Sequence, residues 1–314
     1  MPVRDGSRRR AAVGATAPWK EAIVDGVRLA YDADGDGAPI VCLHAIAHGA
    51  RDFAGIRCHL HTRYRVIALD WPGHGSSGDD HEPASAARYA TLLGGFLDAL
   101  GLERPVVLGN SIGGAAAIRV AAAEPERVRA LVLANPGGLD RGGGGVLNRI
   151  VTGAMAAFFA AGARGARGAR WYPRAFGAYY RIVLTGPPAV EQRTRIVAQG
   201  AEIAPVLRDA WRSFGTRDAD LRALAPSIRC PVLFAWAADD RINQLARCRA
   251  AIARFPDARL ETFRAGHAAF LEAPDAFIPV LDRFLAQVFA SSTSASPSTR
   301  HTSHSPSICA PSAR

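Results

Sequence analysis

Pro105-Val-Val-Leu-Gly-Asn-Ser-Ile-Gly-Gly114 runs directly into Ala115-Ala-Ala-Ile-Arg-Val-Ala-Ala-Ala-Glu124. The apolar opening has the length of a buried strand, the alanine-rich continuation reads as a helix, and Gly109-Asn110-Ser111-Ile112-Gly113 joins them. A turn this sharp forces its serine into strained backbone angles and needs small neighbours where helix and strand pass closely. Gly109, Gly113 and Gly114 meet that need. The turn lifts the Ser111 hydroxyl clear of the sheet and points the first N–H groups of the helix at any oxyanion formed beside it. Such a stretch presents a nucleophile. An idle serine on a glycine turn carries the same letters, so the weight rests on the surrounding chain.

Outward from this turn, short apolar runs at 40–44, 65–70, 129–135, 231–236 and 259–263 read as strands. Helices are predicted over 51–62, 83–102, 244–255 and 274–289, and an opening hairpin around Asp25-Gly26. Strands alternating with helices imply an α/β fold whose mostly parallel sheet is flanked by helices, with functional loops at the carboxyl ends of the strands. The alternation stops over 140–217. That segment holds glycines 142–145, an Ala-Arg-Gly repeat at 163–170, and the aromatic residues Phe158, Phe159, Trp171, Tyr172, Phe176, Tyr179 and Tyr180. It reads as an inserted helical lid above Ser111, hinged at its glycines, with some of its aromatics facing the pocket. The core is then 20–139 with 218–290, between a flexible tail over 1–19 and a Ser/Pro-rich disordered tail over 291–314.

A chain of 314 residues can bury a sizeable core, and 49% hydrophobic with 21% charged residues is ordinary for a soluble enzyme. Five scattered cysteines without a Cys-x-x-Cys pair argue against a disulfide framework and fit a reducing, cytoplasmic compartment. Arg8-Arg9-Arg10 precedes too short an apolar stretch to read as an export signal. No run of 18 or more apolar residues appears, so no membrane span is expected. The net charge of +10 sits in the two tails and in 137–217, which carries twelve basic and four acidic side chains. Zinc spacing and nucleic-acid motifs are both missing, which removes nucleic acid as an expected partner and leaves a partly apolar small molecule.

A serine hydroxyl needs a general base, and a histidine base needs a carboxylate to fix its tautomer. His267, just beyond the run at 259–263 and before a helix, is the one late histidine outside the tail. The run ending at Trp236 is followed by Asp239 and Asp240, either of which suits the acid, while one of them caps the next helix. His74 lies in a turn, and His44 with His48 has metal-like spacing but sits in a loop without a carboxylate.

With these residues in view, about 20–290 resembles the α/β-hydrolase superfamily. The resemblance is carried in chain order by the Gly-Asn-Ser-Ile-Gly-Gly turn, the Asp70-Trp-Pro-Gly-His-Gly-Ser loop, the Trp-x-x-x-Asp stretch and the Gly-His-x-x-x-x-Glu-x-Pro ending. It implies Ser111 as nucleophile, Asp240 as acid, His267 as base, and the backbone N–H groups of Ile112 and Ile46 as oxyanion donors, with no cofactor or metal. Ala45 departs from the glycine usual after that histidine, so the loop is expected to bend differently. The serine separates the chain from the aspartate-using haloalkane dehalogenases and most epoxide hydrolases. Carboxylic-ester or related acyl hydrolysis is the first implied activity. Carbon–carbon hydrolysis of aromatic ring-fission products is the second, and a ligand receptor with little turnover is the third.

Overall fold

The computed structural model describes residues 19–142, 144–164 and 170–293, with side chains through 290. Most of the two expected tails, and the centre of the Ala-Arg-Gly repeat, lie outside the described residues. The strands β1 (Lys20–Val24), β2 (Val27–Asp34), β3 (Ala38–Leu43), β4 (Tyr64–Leu69), β5 (Val106–Asn110), β6 (Ala130–Ala134), β7 (Val232–Ala237) and β8 (Ala258–Phe263) form one sheet. Their order is β1-β2-β4-β3-β5-β6-β7-β8. The pairs β1–β2 and β2–β4 are antiparallel and the rest parallel. Asp25 and Gly26 both take positive φ, 50° and 77°, which is what a two-residue hairpin turn between β1 and β2 requires.

Successive side chains of a strand face opposite ways, and here both sides are buried. Val41 and Leu43 enter one core with Val107, while Ile40 and Cys42 enter the other with Val106 and Leu108. One core is closed by α2 (Ala86–Ala99) and α3 (Ile112–Ala123), the other by α1 (Ala54–Leu60) and α10 (Pro274–Thr293). The helix expected over 51–62 is a 3₁₀ turn, Ala50–Phe53, followed by the short α1. The helix expected from 83 begins at Ala86, because the Ser85 side chain accepts from the Arg88 N–H and caps it there. The closing helix runs on to Thr293, into the stretch read as tail.

Between β6 and β7 the chain forms α4 (Val146–Ala163), α5 (Tyr172–Val183), α6 (Val190–Ala198) and α7 (Ala204–Phe214). After β7 come α8 (Leu245–Ile252), β8, and the single-turn α9 (Ala269–Glu272) that leads into α10. In strand order β3 lies between β4 and β5, so the connections leaving β3 and β5 diverge at the carboxyl edge. Open sheets hold their ligands in the crevice this leaves.

Helix α3 is in van der Waals contact with strands β3 and β5 through glycine. A Cβ at Gly113 would stand 2.5 Å from the Leu43 carbonyl oxygen, and one at Gly109 would stand 2.6 Å from the Gly114 backbone. Those neighbours are main chain and cannot step aside. Gly94 on α2 meets nothing within 4 Å. Gly113→Ala should therefore destabilise by about 2 kcal/mol or more, as overpacking does, whereas Gly94→Ala should stabilise by about 0.5–1 kcal/mol through helix propensity. Chemical denaturation of both variants checks the pair.

Candidate active site

Ser111 takes φ 54° and ψ −115° at the N-terminus of α3, a region that non-glycine residues occupy only when their surroundings hold them there. Two hydrogen bonds do so. Its N–H donates to the Ala134 carbonyl on β6 (3.0 Å), and its own carbonyl accepts from Gly137 (3.1 Å). Its helix-starting neighbour Ile112 is buried, and both residues line a cavity of about 400 Å³.

His267 is buried and its Nδ1 lies 2.8 Å from Asp240 Oδ2. The carboxylate accepts, so Nδ1 carries the proton and Nε2 is left as a base. Burial works against the His267 cation, but the charge and hydrogen bond of Asp240, with a smaller contribution from Glu272, outweigh it and hold the imidazole above its ordinary value of 6.5. Asp240 also accepts the Ile242 N–H (2.7 Å) and the Asn243 N–H (3.1 Å) through Oδ1. One aspartate thus orients the histidine and closes the turn that follows, whereas Asp239 makes neither contact and only its backbone N–H bonds to Ala265. Asp240 is therefore the acid of the pair, and the expected helix cap falls on neither aspartate, since α8 begins after Gln244 without a side-chain cap.

Nothing in the spacing of residues assigned a role to Asn135 or Glu272. Asn135 is fully buried at φ 46°. Its amide donates to Asp240 Oδ2 (2.6 Å), and its Oδ1 accepts the Ala237 N–H (2.8 Å). An asparagine at a strand exit was the available signal, since it tolerates left-handed backbone better than most residues. Glu272 is the glutamate of the Gly-His-x-x-x-x-Glu-x-Pro ending. It accepts the N–H groups of His267 (2.9 Å), Ala268 (3.1 Å) and Gly266 (3.0 Å), and from the helical insertion those of Thr185 (2.8 Å) and Gly186 (2.7 Å). It moulds the loop that carries His267. The Asn110 amide, next to Ser111, reaches the His267 carbonyl at 3.1 Å and ties the serine turn to the same loop.

The loop after β3 is shaped by two neutral histidines. His44 Nε2 accepts the Trp71 N–H (2.9 Å), and His74 Nε2 accepts the Ala47 N–H (2.9 Å). Burial pushes their pKa values down to about 4 and about 3, so both rings stay uncharged and can accept. The left-handed bend falls at Ala47, φ 66°, and not at Ala45. The Ala47 N–H is given to His74 and the His48 N–H to Ala45, while the Ile46 N–H has no acceptor among the described residues. His48 has a carboxylate after all: its Nδ1 lies 2.5 Å from Asp52 Oδ2, and Arg195 of α6 pairs with the other oxygen. The i, i+4 spacing of His48 and Asp52 was visible, but only a helical turn at Ala50–Phe53 makes it a contact.

Above Ser111 the cavity wall is supplied by Leu147, Val151 and Met155 of α4, Tyr179 of α5, and Trp211 and Phe214 of α7. Of the seven aromatics expected to shape a pocket, only Tyr179 lines it. Phe159, Tyr172, Phe176 and Tyr180 are buried against one another and hold the insertion together.

A model of the alpha/beta hydrolase family matches residues 40–280. The 2-hydroxy-6-oxononadienedioate/2-hydroxy-6-oxononatrienedioate hydrolase of Comamonas testosteroni is 27% identical, over 82% of this chain and 91% of its own. A thermophilic esterase from Thermogutta terrifontis superposes with a TM-score of 0.71 at 19% identity, covering 87% of this chain and 99% of that one. The enol-lactonase from Burkholderia xenovorans LB400 gives 0.69 at 22% identity, covering 85% and 100%. At such identities the two solved structures bear on the fold alone.

Glu272→Gln would put an amide NH₂ against a nest of backbone N–H donors. With each stranded buried donor costing about 1–3 kcal/mol, the variant should lose at least about 2 kcal/mol of stability and several degrees of Tm, read by thermal denaturation.

Proposed function

Because the chain belongs to the α/β-hydrolase family, we propose that it is a serine hydrolase that cleaves a small-molecule carboxylic ester or related acyl bond through an acyl-enzyme. One observation carries the reading: a serine held at positive φ at the head of α3, at the edge of a largely apolar cavity, on a turn that the Asn110 amide ties to the loop bearing the histidine of a buried histidine–aspartate pair. Ser111 Oγ attacks the acyl carbon as His267 Nε2 takes its proton, and Asp240 stabilises the imidazolium through Nδ1–H. The negative oxygen of the tetrahedral intermediate is received by the N–H groups of Ile112 and Ile46. Collapse expels the alcohol with the proton from His267, and water repeats the sequence on the acyl-enzyme. The insertion acts as a cap that shapes the acyl pocket.

A second reading, carbon–carbon hydrolysis of a ring-fission acid, draws on the Comamonas relative and on Arg241. This arginine lines the cavity without an ion pair among the described residues, while Arg119 and Arg247 there are held by Asp218 and Asp140. Turnover of esters of increasing acyl length, set beside turnover of a ring-fission dienol acid, separates the two readings, and turnover of neither would favour a receptor.

An organophosphonate should label the protein stoichiometrically at Ser111 and leave Ser111→Ala unlabelled, as mass spectrometry reads directly. Label on another serine overturns the assignment. Asp240→Asn turns an amide toward Nδ1 and should lower kcat by about 10³–10⁴-fold, while Asp239→Asn should stay within about threefold, its side chain being outside the contacts described.

Catalysis needs neutral His267, whose pKa is raised in the fold. Rate should therefore fall as pH drops through a value above 6.5, so the acid limb of kcat/KM lies higher than for a free histidine. Stability has the opposite dependence. A pKa raised by folding favours the protonated native state below 6.5, and that contribution disappears as pH rises through the folded value. A kcat/KM profile with its acid midpoint at or below 6.5 contradicts this account.

A further inference from the structure

Seven of the eight large apolar side chains that stand most exposed lie between Val146 and Val190, in the insertion. Five of them, Val146, Leu147, Ile150, Val151 and Trp171, belong to α4 or to the start of α5. Leu147, Val151, Ala154 and Phe158 recur at helical spacing along α4, and Trp171 continues that stripe by packing on Phe158 at 5.8 Å between ring centroids. Leu147 and Val151 also line the cavity above Ser111, so the apolar surface reaches the mouth of the site.

The charge of the same segment is one-sided. From Arg141 to Val190 the sequence has seven arginines and no aspartate, glutamate or lysine. Arg149, Arg164, Arg170, Arg174 and Arg181 are exposed, and none is in an ion pair among the described residues. Elsewhere arginines such as Arg88, Arg119 and Arg222 are matched to aspartates.

Exposed aliphatics with a tryptophan and unopposed arginines fit a surface that is apolar beneath and negative on top. We propose that this face of the insertion seats on an anionic phospholipid surface, with the cavity mouth turned toward it. Helix α4 has a mean hydropathy of 1.4 over 18 residues, enough by length and composition to cross a membrane, which the sequence did not lead one to expect. Its Thr152, Ala156 and Phe159 are buried in the protein, with Phe159 stacked on Trp211 of α7, so the helix lies along the surface. A second copy fits less well, because a two-fold interface through this face brings arginines against arginines with no acid between them.

The test is flotation of the full chain with phosphatidylcholine vesicles, with and without about one third phosphatidylglycerol. Wild type should bind the anionic vesicles at least about tenfold more tightly than the neutral ones, and salt should weaken that binding. Val146→Ser/Ile150→Ser, which changes no charge, should reduce binding about tenfold or more. Ile23→Ser, exposed but outside the insertion, should bind as wild type does. Unaltered thermal melting shows that both variants fold. Failure of wild type to bind anionic vesicles, equal binding to both compositions, or undiminished binding by the double variant overturns the proposal. A dimer seen by light scattering, lost in the double variant, without vesicle binding assigns the face to a second copy. Vesicle binding is read without turnover, so its outcome is independent of the role given to Ser111.

Discussion

Much of the molecule is arranged around the backbone of one residue. Ser111 is held at φ 54° where strand and helix leave no room for a Cβ at either Gly109 or Gly113. A left-handed serine costs of order 1–3 kcal/mol and persists only if neighbours over-determine it. Here the restraints come from β6 through Ala134 and from the turn after it through Gly137, so the serine turn depends on the neighbouring strand and its exit being in place. Among the described residues the non-glycine residues at positive φ are Asp25, Ala47, Ser111 and Asn135, and the last three follow the carboxyl ends of β3, β5 and β6. Strain is concentrated where the chemistry is proposed.

The loops around Ser111 are fixed by buried polar side chains that accept backbone N–H groups. Asp70 takes those of Ala50 and Ser76, Asn135 takes that of Ala237, and Glu272 takes five from two separate segments. Burial raises the Asp70 pKa against the effect of its two N–H donors. A buried acceptor is tolerated only when its partners are supplied, and in return each one specifies a loop path that apolar packing would leave loose. The neutral rings of His44 and His74 do the same for the loop bearing Ile46.

This division explains what could be read beforehand. Strands such as β3 and β5 announce themselves because both faces are buried and the run is continuously apolar. The Ser111 turn announces itself because only glycine fits beside it. Order in the chain and placement at strand exits then narrowed the partners to His267 and two aspartates. The choice between those aspartates, and the parts played by Asn135 and Glu272, depend on contacts between separate segments, such as His267 to Asp240, Asn135 to Asp240 and Glu272 to Thr185, which no local period encodes. The aromatics at 158–180 misled for a related reason. Composition marks them as buried, but whether they bury against each other or around a ligand is decided by helix packing, and α4 turns Leu147, Val151 and Met155 to the cavity instead.

The insertion is also bonded to the site unevenly. On the α5–α6 side, Glu272 accepts from Thr185 and Gly186, Arg195 pairs with the buried Asp52, and the Tyr180 hydroxyl donates to the Ile46 carbonyl at 3.3 Å. Burial would raise Asp52, but His48 and Arg195 beside it outweigh that and hold its carboxyl below the usual range, so the charge is present and needs its partners. Removing one partner of a buried ion pair costs about 3–5 kcal/mol. Displacing α5 and α6 would therefore uncover a charged carboxylate and at the same time disturb the loops carrying Ile46 and His267. Helices α4 and α7, stacked through Phe159 and Trp211, present mainly apolar side chains to the cavity, and Gly144 at φ 76° leads into α4. Displacing α4 would leave the loops carrying His267 and Ile46 undisturbed, because among the described residues none of their hydrogen bonds runs through that helix.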